Sequence, residues 1–62
     1  MSDWVERAEQ LPEPYGEIAR MYLHGPEARE YEPEMVVAAM AALGIDITED
    51  DVALYRNPRK AV

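Results

Sequence analysis

Nine consecutive residues, Met35-Val36-Val37-Ala38-Ala39-Met40-Ala41-Ala42-Leu43, carry no polar side chain. Pro33 and Glu34 precede them and Gly44 follows. A proline suits the first position of a helix, where the missing N–H has no partner to lose, and a glycine just past the end suits the left-handed residue that stops one. The stretch therefore reads as a helix from Pro33 to Leu43. It is about half the length needed to cross a bilayer, so no membrane span is expected. The remainder of the chain must fold against it.

Placed at about 100° per residue, this helix has two unlike faces. Val36, Val37, Met40 and Leu43 form a bulky arc expected to face the core. Ala38, Ala41 and Ala42 form a smooth one, with Glu34 beside Ala38 and Ala41. Alanines are cheap to expose and favour helix. Small side chains also let a second helix approach closely, which makes a homodimer through Ala38, Ala41 and Ala42 the alternative reading.

The flanking segments carry helical signals of their own. Ser2 or Asp3 can cap a first helix, with Glu6 three residues after Asp3 and Trp4, Val5, Ala8 and Leu11 on one face. Pro12 and Pro14 end it, and Pro14 suits the first position of a second helix. There Tyr15, Ile18, Ala19, Tyr22 and Leu23 follow the i, i+3, i+4, i+7, i+8 pattern, with Met21 beside them and Glu17, Arg20 and His24 opposite. Gly25 is expected to be the left-handed residue that ends this helix, and Pro26 forbids continuation.

Residues 26–32 are mostly charged and read as a polar connector with at most one helical turn, anchored by Tyr31. Glu32, before a proline, is pushed to extended backbone. Ile45-Asp46-Ile47 alternates as an extended link with both isoleucines turned inward. Thr48 caps a fourth, shorter helix whose first turn, Glu49-Asp50-Asp51, suits the positive end of the helix dipole. Val52, Leu54 and Tyr55 are its apolar content, and Asn57-Pro58 stops it. The expected fold is all-α: a small bundle of three main helices plus a short fourth, with no sheet, in one domain over residues 1–56. Residues 57–62 form a short basic tail.

Composition narrows the function classes. The 62 residues contain no Cys and one His, which removes a disulfide framework, thiolate metal sites and the usual zinc constellations. The N-terminus lacks a basic segment followed by an apolar one, so no secretory signal is expected and the reading is cytoplasmic. With one His, one Ser and one Thr, no catalytic pair has recognisable spacing, and no enzyme, cofactor or metal is expected. His24 reads as an exposed helix-end residue. Asp46-x-Thr48-x-Asp50-Asp51 echoes a calcium loop, but Asp51 stands where that loop needs Gly and Asn57 where it needs Glu. Helix capping explains the same residues.

Charge is the remaining signal. All 13 acidic residues and three of the six basic ones fall within residues 1–54, a net of −10, whereas residues 55–62 carry Arg56, Arg59 and Lys60. Such a body repels nucleic acid and attracts a basic surface. Met40 to Asn57 faintly resembles a helix-turn-helix, but its second helix would aim Glu49-Asp50-Asp51 at phosphates, so direct nucleic-acid binding is not expected. The candidate partner-binding residues are Glu27, Glu30, Tyr31, Glu32 and Glu34 in one cluster and Asp46, Glu49, Asp50 and Asp51 in another. The reading is a small acidic non-enzymatic interaction module, an adaptor, accessory subunit or inhibitor, whose partner is a protein with a basic surface. The alternatives are an acidic inhibitor that mimics nucleic acid and a nucleic-acid-associated regulator using the basic tail.

Overall fold

The structure, a computed structural model, describes residues 3–57. Within them the chain forms four α-helices, α1 (Asp3–Glu9), α2 (Tyr15–His24), α3 (Pro33–Ala42) and α4 (Glu49–Arg56), with a short 3-10 turn at Ala28–Glu30 between α2 and α3. No strand occurs among the described residues. The helices pair as two hairpins, α1 with α2 and α3 with α4, and α2 meets α3 to join them. The basic tail expected over residues 57–62 lies, apart from Asn57, outside the described residues.

The fourth helix is not the minor element that the sequence suggests. It has eight residues against seven in α1, so the bundle has four helices and not three plus a fragment. Its start is fixed by a closed capping box. The Asp51 N–H donates to Thr48 Oγ1 at 3.3 Å, and the Thr48 N–H donates to Asp51 Oδ2 at 2.9 Å. Two otherwise orphaned donors are satisfied, and the shorter Asp does the work of the usual Glu. Helix α1 stops at Glu9 because the chain must turn before Pro12, leaving Leu11 half-buried beyond the helix end.

Helix α3 matches the pattern of its sequence. Pro33 occupies its first turn, and Glu32 before it is extended at φ −64°, ψ 146°. At the other end Gly44 adopts φ +86°. Its N–H donates to Ala41 O at 3.0 Å, and the Ile45 N–H donates to Met40 O at 2.8 Å. These are the paired bonds of a Schellman cap. The cap turns Ile45 into the core, and Ile47 packs against that core half-buried, with Asp46 exposed between them.

The end of α2 differs from expectation. Gly25 is extended, φ −64° and ψ 165°, rather than left-handed. Pro26 follows, and the clash of a proline ring with the preceding residue drives that residue to extended backbone. Glycine serves there through its size: a Cβ would lie 2.5 Å from the Met21 carbonyl oxygen.

The core is Trp4 and Ala8 from α1, Ala19 and Leu23 from α2, Val36 and Met40 from α3, Ile45, and Val52 from α4. Each helix contributes one or two side chains, as a chain this small requires. No polar or charged residue is buried among the described residues.

Candidate interaction surface

Helix α2 is rotated from the orientation that its sequence periodicity implies. Its buried residues are Gly16, Ala19 and Leu23, while Tyr15, Ile18 and Met21 are 53%, 39% and 48% exposed. The cause is the α1–α2 turn. The main-chain carbonyl of Leu11 sits directly on Gly16, where a Cβ would come within 2.5 Å of it. Only the glycine face admits so close an approach, so that face turns inward and the larger side chains turn out. Gly16 shares the buried face with Ala19 and Leu23, and hydrophobic periodicity gave no signal that this face would turn inward in place of Tyr15 and Ile18, which with Met21 form the outward ridge.

One bank of the ridge leads to the first acidic cluster. Tyr22, half-buried beside Ile18, packs on Tyr31 with ring centroids 4.7 Å apart. Tyr31 lies between Glu30 and Glu32, and Glu27, Glu30, Glu32 and Glu34 are all exposed. On the other bank an open groove of about 440 Å³ runs past Ile18, Met21 and Gly25, with Glu17, Arg20 and His24 along it. The two basic side chains here are already engaged. Arg20 Nη2 donates to Glu13 Oε1 at 2.7 Å, a bond that pushes the guanidinium pKa further above its ordinary value. His24 Nε2 contacts Glu9 Oε2.

The second acidic cluster stands elsewhere. Asp46, Glu49 and Asp50 are exposed and Asp51 is half-buried in its cap. They follow the C-terminal end of α3, whereas Glu32 and Glu34 mark its N-terminal end, a rise of about 15 Å over ten residues. The structure thus seats Tyr31 on α2, with Glu30 and Glu32 its chain neighbours and Glu34 in the first turn of α3, and leaves Asp46, Glu49, Asp50 and Asp51 beyond the far end of α3. The Asp51 carboxylate is committed to Thr48. Ala38, Ala41 and Ala42 are all exposed, and Met35 beside them is 47% exposed.

A cavity of about 230 Å³ opens among the helices, walled by Trp4, Tyr22, Val52 and Tyr55 with Arg29 and Arg56 at its edge. It is smaller than the ~300–1,000 Å³ typical of small-molecule sites, and no carboxylate or imidazole lines it. The Tyr55 ring meets Trp4 edge-on at 5.7 Å, and its hydroxyl lies 3.4 Å from both the Leu23 carbonyl and His24 Nδ1. Burial, and secondarily the charge of Glu9, raises the Tyr55 pKa above its usual 10.0. Among the described residues no group of three or more His, Asp or Glu is arranged to hold a metal ion, and no helix is long and apolar enough to cross a membrane.

Comparison of the chain with protein family models, with curated proteins and with solved structures finds no match.

Proposed function

We propose that this protein is a non-enzymatic interaction module that docks a basic protein surface through its carboxylates. One observation carries the reading. Of the 13 acidic residues, only Glu9 and Glu13 pair with a basic side chain among the described residues, and none is buried. An acidic body left this uncompensated works against its own compact state through self-repulsion, and a basic partner relieves that cost. The small cavity, lined by neither carboxylate nor imidazole, supports a binding role over a catalytic one.

The test is capture of native-extract proteins on the immobilised chain at rising salt. Bound proteins are expected to elute between roughly 0.1 and 0.5 M salt, as screening shortens the reach of surface charges. They are also expected to be lost with the quadruple variant E27Q/E30Q/E32Q/E34Q, or with D46N/E49Q/D50N if the second cluster is the one used. Partners that ignore both salt and these substitutions would overturn an electrostatic mechanism.

A further inference from the structure

The outward ridge of α2 is an apolar feature that no other described residue covers. Tyr15, Ile18 and Met21 recur every three residues along about 9 Å of helix, all more than a third exposed. Half-buried Tyr22 continues the ridge towards Tyr31. An exposed apolar patch rimmed by polar residues often marks an interaction site. Carboxylates that form no ion pair among the described residues stand on both sides, Glu17 on one bank and Glu30 and Glu32 beside Tyr31 on the other. Of the basic side chains near the ridge, Arg20 and His24 contact Glu13 and Glu9, while Arg29 stands exposed beside Glu30.

We infer that this ridge seats an amphipathic helix of a partner protein, apolar along one stripe and basic on both flanks. The inference rests on the reading above and specifies its chemistry. An apolar stripe covers Tyr15, Ile18 and Met21, and lysines or arginines flanking it meet Glu17 on one side and Glu30 and Glu32 on the other. A second copy of this chain is the poorer occupant. Each copy carries a net charge of −7, and pairing two ridges would set like charges against one another.

The experiment is an NMR titration of the intact protein with three synthetic peptides of about 18 residues. One is an amphipathic Leu/Lys helix, one is its scrambled isomer with no apolar face, and one is oligolysine. The amphipathic peptide is expected to bind at least about tenfold tighter than either control. Its shifts should centre on Tyr15, Ile18, Met21, Tyr22 and Tyr31. The variant I18Q/M21Q, which changes two exposed side chains, is expected to keep the native circular dichroism and lose about tenfold in affinity. E30Q/E32Q should weaken binding and flatten its dependence on salt.

Equal binding of all three peptides, indifferent to I18Q/M21Q, would overturn the inference and leave general acidic docking standing. Failure of the amphipathic peptide to shift the ridge would overturn it too, with salt-dependent capture still deciding the broader reading. Concentration-dependent dimerisation abolished by I18Q/M21Q would assign the ridge to a second copy and also overturn it.

Discussion

Arg56 Nη2 donates to the main-chain carbonyl of Ala28 at 2.8 Å, tying the last turn of α4 to the connector between α2 and α3. The bond spans 28 residues and is part-buried. It satisfies a carbonyl of the 3-10 turn with a charged donor, a stronger arrangement than a neutral pair. Removing the donor leaves that carbonyl without its partner. R56A is therefore expected to cost about 1–3 kcal/mol in urea unfolding. R29A, an exposed neighbour in the same acidic setting, is expected to stay within about 0.5 kcal/mol. Equal effects of the two would show that general charge balance, not the Ala28 bond, is what matters.

Met40 and Ala38 test the two faces of α3. Met40 is fully buried, and M40A should lose about 2–5 kcal/mol. A 62-residue domain at roughly 0.05–0.15 kcal/mol per residue has little more than that to lose. M40D, which buries an unpaired charge, should abolish the cooperative thermal transition. Ala38 is exposed, so A38E should cost no more than about 0.5 kcal/mol, that of a like-charge pair with Glu34 one turn away, and leave the sedimentation behaviour unchanged. A change in sedimentation alone would assign the alanine face to a subunit contact.

Two glycines are predicted to resist substitution for different reasons. At Gly44 an added Cβ meets nothing within 4 Å, so the cost of G44A is purely that of holding φ +86°. About 1–2 kcal/mol is expected, with G44N milder because Asn tolerates the left-handed region. At Gly16 the backbone is helical and alanine brings a propensity gain of roughly 1 kcal/mol, yet its Cβ meets the Leu11 carbonyl at 2.5 Å. G16A should therefore destabilise, and its near-ultraviolet circular dichroism should change as α1 and Trp4 shift. A stabilised G16A would refute the account of why α2 is rotated.

Alkaline pH should weaken the fold through Tyr55. In the unfolded chain this phenol ionises near 10.0, while burial, then Glu9, holds the proton on it to higher pH in the native state. The stabilisation is complete below pH ~10 and is lost as pH rises through the folded-state value. Y55F, which cannot ionise, should show a shallower decline of the urea midpoint between about pH 9.5 and 11 than the parent protein. Parallel declines would place the alkaline sensitivity in the other tyrosines.

Segment boundaries were legible in the sequence wherever a single residue's local chemistry dictates them. Pro33 and Gly44 bracket α3, Thr48 starts α4, and the 3-10 turn falls within the connector read as at most one helical turn. Ring closure, a missing N–H, a tolerated positive φ and a side-chain oxygen in reach of the next turn are properties of a few adjacent residues, independent of what lies across the core. The inward arc of α3 was equally plain, because its bulky side chains cluster on one side and its alanines on the other. The acidic surface followed from composition alone, since carboxylates without partners stay in water.

Tertiary structure alone decided how α2 turns. By hydrophobic pattern Tyr15 and Ile18 belong inside, but the close approach of the Leu11 carbonyl admits only Gly16, and the helix rolls until Ala19 and Leu23 follow that glycine into the core. The reach of Arg56 to Ala28 and the separation of the two acidic clusters along α3 also depend on contacts between segments or on how the chain turns, whereas the extended Gly25 follows from Pro26 and was readable by the rule that set Glu32. Periodicity measures which side chains prefer to leave water. Which of them can leave depends on the space that neighbouring backbone permits, and that quantity exists only once the helices have met.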